Sequence, residues 1–267
     1  MSLRAISYGG GVQSTALVVL AVQGVIDFPV ALFSNVGDDS EHPATLDYVR
    51  NIAIPWAAER GVTIHELRRV MRGGIYRTLL EDVERESRTI NIPVRMANGA
   101  PGNRNCTANY KLKVVTKWLK AHGATVDTPA TVAVGFSTDE IERSTNRRDV
   151  PTEQVAYPLL DLGINRGECE AIIRRAGLPV PPKSACWFCP FHRPSTWAEM
   201  RRDEPDLFWR SVELERHLNR RRAMLGKDDV YFTRFGRPLD EAIAEAQPSL
   251  FGDHGGPETC DSGACFT

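Results

Sequence analysis

Three consecutive glycines, Gly9, Gly10 and Gly11, stand between an alternating stretch, Leu3–Ser7, and an apolar run, Thr15–Val22. That pattern predicts a strand handing over to a helix through a loop almost free of side chains. Such a loop lets backbone amides close on an anion, and the helix that follows aims its first N–H groups and the positive end of its dipole at the same point. Phosphate or sulfate is the ligand this chemistry selects. Ser14 and Thr15 add hydroxyl donors at the helix start. The loop has neither the Gly-Lys-Ser/Thr of a Walker loop nor a full dinucleotide fingerprint, so a glycine-rich turn without a ligand is the competing reading.

Cysteines are the second chemical signal. The chain has six, and clustered thiols in a reducing compartment serve metal or redox chemistry rather than disulfides. Cys186 and Cys189 form a CxxC knuckle ahead of Pro190. Two thiolates at that spacing grip one metal centre but leave its shell incomplete. Cys106, at a predicted helix start within Gly102–Lys111, supplies a third ligand. Cys260 and Cys265 bracket Gly263 near the end, and three readings compete for them: a further metal ligand, a mobile redox thiol, or spare cysteines of a frayed tail. Cys169 is expected to pack as a small apolar residue inside a helix. Thiolate-rich sites suit a 4Fe-4S cluster or zinc, with His192 a candidate zinc ligand or a plain capping residue.

A third constellation follows the buried strand expected at Thr131–Phe136. Gly135 opens it, and Glu140 and Arg143 lie three residues apart beyond it. At the C-terminal end of such a strand, Arg143 is placed to clamp an anion, with Glu140 or Asp139 orienting it or holding magnesium. Ordinary surface decoration is the alternative. Arg104 and Lys111 are expected to face phosphate or the cysteines.

The elements that must position these groups alternate as strand and helix. Further strands are expected at Val30–Ser34, Val62–Leu67 and Gln154–Tyr157, and helices to about Arg60, near Ile75–Glu86, over Thr107–His122 and over Arg166–Ala176. The fold class is therefore α/β, a Rossmann-like doubly wound and mostly parallel sheet. Pro179, Pro181 and Pro182 mark a change to a C-terminal helical, cysteine-bearing region with helices near Ser195–Asp203 and Pro205–Leu225. The expected division is a nucleotide-binding domain over 1–165 and that helical region over 166–267. Lys plus Arg number 33 and Asp plus Glu 34, so no global field draws the chain to nucleic acid or an anionic membrane. Local basic clusters, Arg68, Arg69 and Arg72 among them, are read as solvated faces. Neither a bilayer-spanning apolar run nor a signal-peptide pattern is present, which predicts a soluble cytoplasmic protein without a membrane partner.

Taken together, Gly9–Ser14, the strand end Asn35–Gly37, and the matched Pro43 and Thr45 resemble the PP-loop superfamily of adenine nucleotide alpha hydrolases, and within it the phosphoadenosine phosphosulfate reductase family. That family carries Ser-Gly-Gly-x-Asp-Ser after its first strand and Asp-Thr-Gly, then Pro-x-Thr, after its second. Here Gly9 replaces the Ser, Gln13 the Asp of the loop, and Asn35–Gly37 takes the place of Asp-Thr-Gly. The stretch from Gly135 is similar to the superfamily's Gly-Ile-Arg-x-x-Glu-Ser-x-x-Arg, with Glu140 and Arg143 matched and Phe136 and Ser137 departing. Cys106 with the CxxC is similar to the iron-sulfur sulfonucleotide reductases, with Asn105 in place of one cysteine. Of their C-terminal Glu-Cys-Gly-Leu-His, only the position of Cys260 is comparable.

The resemblance implies ATP, or adenylyl sulfate, held by Ser7, Gly9, Gly10, Gly11, Ser14, Thr15, Asn35, Gly37, Arg104, Lys111 and Gly135. It implies a 4Fe-4S cluster, with zinc as the alternative, on Cys106, Cys186, Cys189 and Cys260, and magnesium as a further candidate. Gln13, Ser14, Glu140, Arg143, Cys260 and Cys265 are the candidate catalytic residues. Two enzymes fit: an ATP pyrophosphatase that adenylates an acceptor for sulfur transfer, or an adenylyl or phosphoadenylyl sulfate reductase with a tail cysteine as nucleophile. The missing Cys-Cys pair and the missing Glu-Cys-Gly-Leu-His favour the first. A non-enzymatic nucleotide-binding zinc-knuckle module is the third reading. The sulfur acceptor is left open among DNA, tRNA and small molecules, and a cysteine desulfurase or thioredoxin is the expected protein partner.

Overall fold

The computed structural model describes residues 2–146 and 150–243, the side chains of 143–146 excepted. Seven strands occur among the described residues: β1 (Arg4–Tyr8), β2 (Val30–Asn35), β3 (Thr63–Arg68), β4 (Arg95–Met96), β5 (Ala130–Val134), β6 (Glu153–Ala156) and β7 (Val230–Tyr231). Five of them make a parallel sheet in the order β3-β2-β1-β5-β6. Its inner strands are covered on both faces, which is why they read as near-continuous small and branched apolar residues: Ile6, Ala31, Leu32, Phe33, Val132 and Ala133 are all buried.

The chain steps outward from β1 to β2 and β3, then returns to lay β5 and β6 on the other side of β1. Winding therefore reverses between β1 and β5, and open sheets of this kind take ligands in the crevice beyond the C-terminal ends of the strands there. This is a Rossmann-like α/β fold.

Helix α1 (Val12–Val22) covers one face of the sheet. The second connection begins as α2 (Pro43–Asp47), passes through a π-helical stretch, Tyr48–Ala53, and ends as α3 (Ile54–Ala58). Pro55 has no N–H to give an α-helical ladder, and the widened π register absorbs that missing donor. The sequence pattern predicts a helix from Ile75, whereas α4 (Leu79–Glu84) starts later. Gly73 and Gly74, at φ +82° and +79°, turn the chain back so that Tyr76 bridges Val70, and Thr78 with Glu81 forms the capping box that opens α4. A second π-helical stretch, Thr107–Leu112, runs into α5 (Lys113–Ala121), whose Val115 and Leu119 cover the opposite sheet face.

After β6 come α6 (Pro158–Asp161) and α7 (Arg166–Arg175). Helix α7 lies against α1 and contributes Cys169 and Ile173 to the core beneath it. Burial pushes the Cys169 thiol up to about 12, as suits a packing residue. Helices α8 (Pro194–Asp203), α9 (Pro205–Met224) and α10 (Leu239–Ala242) form the C-terminal region. Its core joins Trp197, Phe208 and Phe232 to Leu79, Val83 and Tyr110, and β4 pairs antiparallel with β7. No helix among the described residues is long and apolar enough to cross a membrane.

Candidate functional site

The glycine loop sits at the end of β1, beside the point where the winding reverses. Gly10 takes φ +75°, a conformation side-chain-bearing residues avoid, and a Cβ there would lie 3.0 Å from Val49 Cγ2 and 3.2 Å from Thr45 Cγ2. The constraint on Gly10 thus comes from the packed α2–α3 side, beneath the loop. Gly11 is different: it is the N-cap of α1, and its nearest neighbour for a Cβ is Ser184 Cβ at 3.7 Å. Gly11 offers α1 no side-chain cap, and the helix's own first turn carries no acidic residue. The first-turn amides and the positive dipole end are therefore uncompensated, which is the condition for anion binding.

Serine 14 staples this loop. Its hydroxyl accepts from Gly9 N–H at 3.2 Å and donates to Gly11 O at 3.1 Å. Thr15 is buried, its hydroxyl 3.3 Å from the Tyr8 hydroxyl, so it supports the loop from below. Ser7 lies on the other sheet face, lining an internal crevice with Ser34, Lys111 and Glu153. Gln13 is buried, and Arg166 Nη1 donates to its Oε1 at 3.5 Å. Arg166, at the first turn of α7, is thereby brought to the loop's edge, a placement its sequence context did not signal.

Gly135 ends β5 against the same helix start. A Cβ there would stand 3.0 Å from Gln13 C and from Ser14 N, so only glycine lets α1 close on the crevice. Beyond it, Ser137 and Glu140 are buried, and Glu140 breaks the helical dihedrals of the 3-10 segment Thr138–Asn146. Asp139 accepts from Arg166 N–H at 2.7 Å and from Ser137 Oγ at 3.4 Å, tying this segment to α7. The side chain of Arg143 lies outside the described residues.

At the end of β2, Asn35 organises a turn. Its Oδ1 accepts from Gly37 N–H at 2.7 Å, while Nδ2 donates to Asp38 and Glu66, each at 2.7 Å. Gly37, at φ +139°, has Thr78 Cβ and Asp39 Oδ1 within 2.5 Å of any added Cβ. Arg50 donates to Glu66 and to Asp38 Oδ1, and Arg68 also reaches Asp38 at 2.8 Å. Partial burial opposes ionisation of Asp38, but the hydrogen bonds from Arg50, Asn35 and Arg68 outweigh it and hold the carboxyl down at about 2. The hydrogen bond from Arg50 likewise lowers Glu66.

The cysteine segment is sewn onto this turn. Cys186 bridges Glu41, Trp187 N–H donates to Ser40 O at 3.3 Å, Trp187 Nε1 donates to Asp39 O at 2.6 Å, and His42 N–H donates to Ala185 O at 3.1 Å. Two residues before Cys186, Ser184 donates its hydroxyl to Gly9 O. Residues 184 to 186 therefore run from the glycine loop to the thiols, and two residues of extended chain span at most about 7 Å. Neither contact was visible as a motif.

Cys106, Cys186 and Cys189 form no disulfide among the described residues and are partly buried. Burial pushes the Cys186 thiol well up; neighbouring charge on Glu41, Cys189 and Cys106 adds to this, and Lys111 opposes it. Cys186 thus lies within electrostatic reach of Cys106, Cys189 and the buried Lys111. Cys106 and Cys186 pack on the apolar cluster that holds Trp187 and Phe188, Cys189 on Phe191. Arg104 stacks over Phe191 at 5.2 Å. His192 turns its Nε2 to Cys186 O at 2.9 Å and its ring edge to Trp197, which fixes the CxxC turn. Among the described residues no three His, Cys, Asp or Glu side chains are gathered into a ready metal shell. Soft thiols in an apolar wall with one cation nearby nevertheless have the donor chemistry of a cluster site. Cys260 and Cys265 lie outside the described residues.

No family model and no curated protein matches the chain.

Proposed function

We propose that this chain is an ATP pyrophosphatase that adenylates an acceptor for sulfur transfer. The observation that carries the reading is the run from Ser184 at the glycine loop to Cys186, which has Cys106 and Cys189 within electrostatic reach; it joins the glycine loop at the sheet's switch point to a group of thiols. In this reading the free amides at the start of α1 bind the β- and γ-phosphates of ATP, and Arg166 neutralises charge as pyrophosphate departs. An acceptor oxygen attacks the α-phosphorus, the bond to the bridging oxygen breaks, and the acceptor leaves as its AMP ester. Ser14 keeps the loop in its binding shape, and Gln13 holds Arg166 toward it. Cys106, Cys186 and Cys189 would hold a 4Fe-4S cluster, which when bound supplies the sulfur chemistry that displaces AMP. The site would be cytoplasmic, where such thiols stay reduced.

The test is anaerobic purification with iron, zinc and sulfide analysis, followed by pyrophosphate release from ATP and mass spectrometry of the products. Acceptor-dependent pyrophosphate and AMP, with no sulfite from adenylyl sulfate, is the expected result. Thioredoxin-dependent sulfite production would overturn it in favour of a sulfonucleotide reductase, and a colourless protein holding one zinc and turning over neither substrate would establish a binding module.

A further inference from the structure

Beside the edge strand β3 the structure has an open groove of about 710 Å³ that the nucleotide reading does not use. One wall is the end of β3 and the turn that follows, with Arg68, Arg69 and Tyr76; the other is α5 and the π-helical stretch before it, with Lys113, Lys117 and Trp118. Glu66 is the acidic residue of the lining, and Arg50 and Arg68 already engage it. Nearby, the buried Asp82 carboxylate alone faces three guanidiniums, Arg69 at 3.7 Å, Arg77 at 3.9 Å and Arg85 at 2.7 Å. Lys113 donates to Asn109 and has no ion pair among the described residues, nor has Lys117. Arg68 is paired with Asp38 and Glu66, and Arg69 with Asp82, so Lys113 and Lys117 are the groove cations left without an acidic partner among the described residues, in a chain whose overall charge is −1.

We infer that this groove binds a single-stranded nucleic acid. Lys113 and Lys117 stand one turn apart on α5, about 6 Å along its axis, and with Arg68 and Arg69 opposite they form a track for successive phosphates rather than a socket for one. Tyr76 is 65% exposed on a turn that presents it to the groove, an unusual position for a large ring and one suited to stacking an unpaired base. Trp118 cannot offer both faces, since His122 stacks on it at 3.7 Å, so it serves as the apolar floor. A duplex would keep its bases from Tyr76. The π-helical wall continues from Asn109 in the groove to Lys111 beside the thiols, so the groove leads toward the site. That the strand is the sulfur acceptor rests on the adenylation reading; that it binds does not.

The experiment is fluorescence anisotropy with labelled DNA and RNA single strands of about 16 nucleotides, the upper end of single-domain site sizes. A duplex of the same sequence, free AMP and phosphatidylserine vesicles serve as competitors. Strand binding is expected to fall with salt, and Lys113→Glu with Lys117→Glu to weaken it by more than about tenfold and flatten the salt slope by about 1.4. Tyr76→Ala is expected to weaken it by about tenfold with the slope unchanged. Which of DNA or RNA binds tighter identifies the source of the strand. Binding that these variants leave unchanged, or stronger competition by duplex, AMP or vesicles, would overturn the inference. ATP affinity measured by calorimetry should be the same in all these variants; its absence in every protein with strand binding retained would defeat the adenylation reading alone.

Discussion

The glycine loop and the cysteine segment meet at Ser184, yet they are made in different ways. The loop is backbone: Gly10 at φ +75°, an uncapped α1, and Ser14 bonding within its own turn, all between residues 8 and 15. The thiol site is side chain, and its parts come from Cys106, from Cys186 and Cys189, and from Glu41 and Lys111, held together by Trp187 bonding to Asp39 and Ser40. A site of the first kind forms with the strand–helix unit that carries it. One of the second kind exists only when distant segments have docked, so damage to the two should look different.

The largest effect is expected from Gly10→Val. A branched side chain at a positive φ, aimed at Val49 and Thr45, combines backbone strain with overpacking, so the variant should lose about 3 kcal/mol or more of stability as well as nucleotide binding. Gly11→Ala, whose Cβ would make only ordinary van der Waals contact with Ser184 Cβ at 3.7 Å, should fold normally. Thermal unfolding alongside calorimetry with ATP checks both; a fully stable Gly10→Val that still binds would break the distinction between packing and ligand demands on the loop.

The contrasting prediction concerns Cys106→Ser, Cys186→Ser and Cys189→Ser. Each should abolish a brown, oxygen-sensitive chromophore while shifting ATP affinity by less than about twofold, because the phosphate amides belong to another element. Equal loss of ATP binding in these variants would show that the two sites are one cooperative unit.

In the C-terminal region Glu215 makes a finer test. Its oxygens accept from Phe232 N–H at 2.5 Å and Leu239 N–H at 2.8 Å, clasping β7 and α10 to α9. Burial pushes its carboxyl up to about 7 from 4.5, against the pull of those two amides. With the folded value raised, the stabilisation is complete below pH 4.5 and is lost as pH rises to about 7, a change of about 3 kcal/mol. Glu215→Gln should remove this slope. A wild-type unfolding free energy that is flat over this range would refute the assignment.

The smallest effect is expected at the meeting point. Ser184→Ala deletes one hydrogen bond to Gly9 O, worth about 1 kcal/mol, and should weaken ATP binding by about fivefold with metal content intact. Loss of metal together with nucleotide affinity would mean that Ser184 couples the two sites more tightly than one hydrogen bond allows.

Much of the fold was legible because its signals are short-range. The alternation of β1, the apolar run of α1, the apolar β5 and the helical pattern over Arg166–Ala176 that became α7 are each read within a dozen residues. The late start of α4 and the two π-helical stretches were not, since the first depends on Gly73 and Gly74 reversing the chain and the others on register slips that leave no compositional mark. The pairing of β4 with β7 joins segments more than a hundred residues apart and has only two residues on each side to announce it.

The sequence by itself determined the strand–glycine–helix unit, the strand order's raw material and the identity of the thiols, because glycine's conformational range, apolar periodicity and sulfur chemistry are properties of residues and their neighbours. Tertiary structure decided that Gly10 answers to Val49, that Gly135 must admit Gln13 and Ser14, that Arg166 and Ser184 stand at the loop, and that scattered arginines and lysines become one groove. Those are relations between groups far apart in the chain, and distance in space is settled only when the sheet and its covering helices have packed.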